Sequence, residues 1–260
     1  MPVVRRYTDM LVKAFSLGQP LRMLLYGMII GCLSALAAMA FFFCLEWVQH
    51  VLFGGLCDYH ISRPSGERLF PAVGGDKPVA WLFFLLPILG GLLSGFIIFR
   101  FAPEAEGVGT EAMIHTFHNK RGIIRARVPY LKALASIVTL GTGGSVGREG
   151  PISQIGAGIG SFLATRLHLG VRQRRILLLA GAAGGLGAIF RSPLGAAISA
   201  VEVLYAEDME SEALLPSIIS SVTAYTIFSA VFGYDRIFTI PPVGYTRMAE
   251  LPFYLVLGLI

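Results

Sequence analysis

At 260 residues, with 55% hydrophobic and only 14% charged side chains and a mean hydropathy of +0.69, the chain is too apolar for a soluble globular domain. It reads as an integral membrane protein. The formal net charge of +5 comes from Lys and Arg lying between apolar segments, where they act as topology signals, so no nucleic-acid partner is expected.

Residues 1–22 combine Arg5, Arg6, Lys13 and Arg22 with Val3, Val4, Met10, Leu11, Val12, Phe15 and Leu17, the pattern of an amphipathic helix on the cytoplasmic face. No short apolar segment with a small-residue cleavage site follows, so no cleaved leader is expected. A first span is predicted over 23–53, and its run from Met23 to Leu45 exceeds the ~20 residues that cross a ~30 Å hydrocarbon core. Glu46 and Trp47 near its end read as an interfacial anchor pair. Cys32, Cys44 and Cys57 offer neither a disulfide framework nor metal spacing. A turn-rich loop over 54–78 precedes a second span from Val79 to Phe99.

Basic residues then gather at Lys120, Arg121, Arg125, Arg127 and Lys132, and again at Arg166, Arg172, Arg174 and Arg175. Two full spans need roughly 40 residues, more than lie between these clusters. Either two half-helices enter and return, meeting at a break over Gly141 to Pro151, or the clusters face opposite sides. Beyond Arg175 a Gly/Ala-rich helix runs to about Phe190, a second break falls at Arg191-Ser192-Pro193, and a helix follows to about Tyr205. An acidic connection (Glu207, Asp208, Glu210, Glu212), a span from Leu214 to Phe232, a loop with Pro241 and Pro242, and a final short apolar segment complete the chain.

The first break carries the chemistry. Its glycines permit sharp bends, and Pro151 suits the first position of a helix continuing from Ile152 to Leu167, with Gly156 and Gly160 spaced for close packing. Arg148 and Glu149 are adjacent ionisable residues at membrane depth, which points to an ion pathway. A helix N-terminus at the break supplies free N–H groups and positive dipole, a ready anion site of the kind broken helices build in transporters.

Four pieces in order carry a resemblance. Pro103-Glu104-Ala105 leads into Gly107-Val108-Gly109-Thr110; Gly147-Arg148-Glu149-Gly150-Pro151 is followed by Gln154-Ile155-Gly156; then come Ala180 to Ala188, and Ser192-Pro193-Leu194-Gly195 running to Glu202. Together they resemble the CLC family of chloride channels and chloride/proton exchangers, over about residues 20–260. The resemblance implies an all-α integral membrane fold, multi-span with short broken or re-entrant helices. Residues 1–22 would be the N-terminal helix and 23–260 the first half of an inverted repeat, with the second half absent, as in a fragment or truncated product. It also implies chloride or a related anion as cargo, no cofactor, a lipid bilayer as surroundings, a homodimer when full length, and the cell (inner) membrane as location.

By the same resemblance Glu149 is the gating glutamate, whose carboxylate competes with the anion and swings away when protonated. The plainer alternative is a static ion pair with Arg148. Gly107, Val108, Gly109, Thr110, Gly147, Arg148, Gly150 and Pro151 form the anion pathway, with Arg148 either attracting anions or holding the loop. Two departures matter. Val108 stands where many members have a Ser hydroxyl, leaving backbone amides and Thr110, which either adds a hydroxyl or caps its helix. Val203 stands where exchangers have a second glutamate and channels have valine, so Glu202 becomes the proton-relay candidate, or else a structural glutamate bonded to backbone. Passive channel-like conduction, gated by voltage or pH, is therefore preferred. Chloride/proton or fluoride/proton exchange is the alternative, and a non-conducting structural subunit a third reading. His115 and His118 have helical metal spacing but no completing ligands, so no metal is expected. The P-loop pattern is absent, and the chain is not read as an enzyme.

Overall fold

No charge interrupts the chain from Met23 to Leu45, and this run forms helix α1, Gln19–Gln49, which widens into π-helical turns over His50–Leu56. The computed structural model describes residues 18–59, 61, 69–71, 79–204, 210–234 and 248–259. The amphipathic segment up to residue 17, Glu207, Asp208, Pro241 and Pro242 lie outside the described residues. Residues 19–22 already belong to α1, so the helix shows no boundary at 22–23. Leu21–Leu56 is one of three helices long and apolar enough to cross a membrane; the others are α2, Leu82–Phe101, and a later helix, Ser211–Phe232. Among the described residues all regular structure is helical.

Between those spans lie α3 (Thr110–Asn119), α4 (Arg127–Gly141), α5 (Glu149–Arg166), α6 (Val171–Phe190) and α7 (Pro193–Glu202); the third span is α8, Ser211–Phe232. With 15 residues, α4 is about 22 Å long, short of a full crossing. It forms an antiparallel hairpin with α5. Gly158 of α5 lies against Pro129 at the start of α4, and Leu140 at its far end shares a core cluster with Ile152 and Ile155. Ser161 closes the base of the hairpin: its hydroxyl donates to the Gly122 carbonyl at 2.6 Å and accepts the Ile124 N–H at 2.9 Å.

The two basic clusters consequently meet. Arg174 donates to the Arg121 carbonyl at 3.4 Å and Arg175 to that of His118 at 3.1 Å, so both lie at one end of the bundle. The half-helix reading holds, and the reading with clusters on opposite sides does not. Past the end of α2, Glu104 pairs with Arg125. Burial alone would raise this carboxyl, but the Arg125 hydrogen bond and charge outweigh it and hold Glu104 below the usual carboxylate range.

Helix α6 is the centre of the bundle, with Leu177, Leu178, Leu179, Ala180, Ala182 and Ala183 wholly buried. It packs against α1, α5, α7 and α8. Lipid tails are as apolar as leucine, so helix association in a bilayer draws on close contact rather than hydrophobic transfer. The sequence supplies that contact. Gly156 sits on the Gly181 carbonyl and Gly160 on that of Leu177, so tightly that a Cβ at either glycine would overlap the oxygen. By contrast α2 leaves Phe84, Ile88, Leu92, Phe96 and Phe99 exposed, a surface suited to lipid.

Two sequence expectations are corrected here. Helix α5 begins at Glu149, which puts Pro151 third rather than first; the proline sacrifices no bond, because first-turn N–H groups lack intrahelical partners. Glu46 is buried while Trp47 is exposed, so the two are not a joint interfacial anchor. Consecutive helical residues diverge by about 100°, and here one points inward and the other outward. A second unit includes a short turn at Met248–Glu250 followed by α9, Leu251–Leu259, none of whose residues is buried.

Candidate anion site

Three chain reversals aim three helix starts. Gly107 (φ +82°) and Gly109 (φ +103°) adopt backbone angles that glycine accepts without a Cβ penalty, and Gly109 is the N-cap of α3. The run from Thr142 ends with Arg148 as the N-cap of α5. Arg191, in the left-handed region at φ +51°, ends α6, and Ser192 with Pro193 starts α7. None of these starts is closed by a side-chain cap hydrogen bond.

All three open on one cavity of about 400 Å³, lined among others by Thr110, Glu149, Ser153, Ser192, Gly195 and Val203. Each helix start carries roughly half a positive charge and up to four unpaired N–H groups. Summed over three, this favours an anion without a buried cation in the cavity wall. Among the described residues, Glu149 is the only ionisable one lining it.

The loops of the two sequence motifs touch. Gly150 lies flat against the Val108 carbonyl, leaving no room for a Cβ, and a Cβ on Gly109 would be 2.5 Å from the Gly150 carbonyl oxygen. Thr110 is the first residue of α3 rather than its cap, and it lines the cavity. Glu149 is exposed and, among the described residues, forms no ion pair, so the static pair with Arg148 is not formed. Arg148 instead places its guanidinium 5.8 Å from the Phe190 ring centroid, in cation–π range. Gly147 is exposed, with open space where a Cβ would go.

Other candidates sit elsewhere. Gly107, Val108 and Pro151 line a neighbouring groove of about 340 Å³ together with Lys132 and Val146, and Val108 is 59% exposed. Val203 lines the main cavity, whereas Glu202 is exposed at the end of α7 and makes no hydrogen bond to a described residue. Among the described residues, Glu202 thus has no backbone partner. His118 Nε2 lies 3.1 Å from the Leu204 carbonyl.

Sequence reasoning missed Ser153, Ser192 and Ser199, whose residues also line the cavity. Ser153 was findable, being one turn from Glu149 on the same helical face. It also missed Lys132, which reads as one more basic topology signal yet is only 6% exposed. Its signal was a lone cation inside an apolar run from Tyr130 to Leu134.

Residues 90–260 match the family described as voltage gated chloride channel. The chain is 30% identical over 241 residues to a ClcB-like chloride channel protein of Ralstonia nicotianae, covering 91% of this chain and 53% of that protein. It is 28% identical over 241 residues to the H+/Cl− exchange transporter ClcA of Vibrio cholerae, covering 92% and 49%. A solved CLC-type fluoride/proton antiporter shares the fold, with a TM-score of 0.72 at 22% identity over 92% of this chain and 54% of that one. The chain thus spans about half the length of the curated relatives it matches. With the family match covering well over half of the chain, and the bundle, the hairpin and the paired motif loops in place, this protein belongs to the voltage gated chloride channel (CLC) family.

Proposed function

We propose that the protein carries chloride or a related anion across a membrane in exchange for protons, with Glu149 as the gate. The observation that carries this reading is the cavity where three uncapped helix starts surround a single carboxylate. An anion is held there by N–H dipoles, and the ionised Glu149 competes with it for the same field. Protonation removes the competitor, which links proton and anion movement. The remaining pathway comes from the Gly107–Thr110 and Gly147–Pro151 loops. The bacterial sources of the relatives support the inner membrane as the site of action, with a homodimer as the expected assembly.

Exchange is preferred to the passive conduction that Val203 suggests from sequence: the ClcA relatives' names describe exchange, while the ClcB-like relative's name describes a channel. Passive conduction remains the second reading on one observation: an apolar, non-titrating Val203 lines the cavity. Liposomes separate the two. A chloride gradient imposed across liposomes containing the protein is expected to drive proton movement, and Glu202→Gln, which removes the neighbouring exposed carboxylate, is expected to abolish it while chloride still flows. Chloride flux with no proton movement in the parent would establish the passive reading.

Val108 bears on selectivity. Val108→Ser adds a hydroxyl donor beside the loop, and a hydrogen bond to a charged partner is worth about 1.5–3 kcal/mol, roughly tenfold or more. The Val108 side chain lines the Lys132 groove and not the cavity of the three helix starts, so a change of that size in the chloride, nitrate and fluoride flux ratios would place the groove on the anion path. Identical ratios in variant and parent would remove this side chain from the path.

A further inference from the structure

We propose that Lys132 is a positioning residue for anion transport: its charged ammonium clamps the Gly107–Thr110 loop and keeps the amides of that loop turned toward the anion. The assignment deepens the transport reading above and rests on it.

Lys132 projects from α4, and its Nζ donates to the Ala105 carbonyl at 3.0 Å and to the Gly107 carbonyl at 2.6 Å. It is 6% exposed, and among the described residues it forms no ion pair with any carboxylate. Glu106 lines the same groove without pairing to it. A buried ammonium without a counter-ion is unfavourable, and one held in an apolar bundle is commonly tied to function.

The local geometry gives the charge a task. Peptide units are planar, so when a carbonyl is drawn toward Lys132, the N–H of the next residue is turned to the opposite side. Fixing the Gly107 carbonyl therefore orients the Val108 N–H. Gly107, unlike Gly109, meets no close backbone neighbour, so the start of the loop depends on a tether that glycine cannot supply. Carbonyl partners accept hydrogen bonds without neutralising an ammonium, and two of its three N–H groups account for the bonds observed. Lys132 also lines the groove shared with Gly107, Val108, Val146 and Pro151, beside the loop it holds.

The test uses purified protein titrated with sodium chloride by calorimetry, alongside chloride efflux from liposomes as a function of chloride concentration. Lys132→Met removes clamp and charge; Lys132→Gln retains amide donors for the carbonyls but not the charge; Lys132→Arg retains both. Loss of a charged hydrogen bond is expected to weaken chloride binding and raise the apparent KM by roughly tenfold in the Met and Gln variants, with the Arg variant close to parent. Thermal unfolding of each variant separates this effect from misfolding, and the Gln variant keeps the test decisive if the Met variant does not fold. Folded Met and Gln variants that bind and carry chloride as the parent does would overturn the assignment. A Gln variant like the parent beside a defective Met variant would overturn the role of charge. A parent that neither binds nor carries chloride would instead sink the transport reading, and this assignment with it.

Discussion

Gly150→Ala is expected to abolish anion flux and to lower the thermal stability of the protein. The added Cβ would fall inside the contact radius of the Val108 carbonyl oxygen, and both partners are backbone, so no side chain can rotate away. Relief requires moving one motif loop off the other. Gly109, which holds the α3 side of that contact at φ +103°, is itself pressed on the Gly150 carbonyl and leaves little slack. Overpacking of this kind destabilises by about 1–3 kcal/mol, and here the displaced atoms belong to the anion site. Gly147→Ala is the internal control. That position has open space and no positive φ, so the same methyl three residues away is expected to leave melting near the parent value. Thermal unfolding in detergent and liposome efflux measure both; equal behaviour of the two variants would refute the close-contact explanation.

Glu149→Gln is expected to flatten the pH dependence of anion flux and to uncouple it from protons. The amide matches the protonated carboxyl in shape and charge, so the cavity keeps its helix starts but loses its titrating competitor. The variant has nothing left to titrate among the residues lining the cavity. Efflux recorded across a pH series distinguishes them, and a variant that kept the parent's profile would move the gate to another residue.

Much of this fold was legible because membrane spans obey length and composition. The uninterrupted run from Met23 to Leu45 and the apolar stretch before Arg100 became α1 and α2, and the shortage of residues between the basic clusters foretold the α4–α5 hairpin. The breaks were legible because glycine and proline declare them locally. What sequence could not convey was convergence: that the starts of α3, α5 and α7 share one cavity depends on how α6 packs against its neighbours. Side-chain direction was equally hidden. Val108 and Thr110 are two residues apart, yet Val108 lines the Lys132 groove while Thr110 lines the Glu149 cavity. Lys132 was misread for a related reason, since a cation near other cations in sequence looks like surface until packing buries it.

The central claim is that an anion rests where the three helix starts meet, and anomalous diffraction from crystals of the Glu149→Gln protein grown in bromide tests it most directly. The substitution keeps the gate from competing, and bromide is a chloride substitute that can be located by its own scattering. The account predicts a bromide peak in the cavity bounded by Thr110, residue 149 and Ser192. A protein that carries bromide across liposomes yet shows its bound bromide only outside that cavity would contradict it.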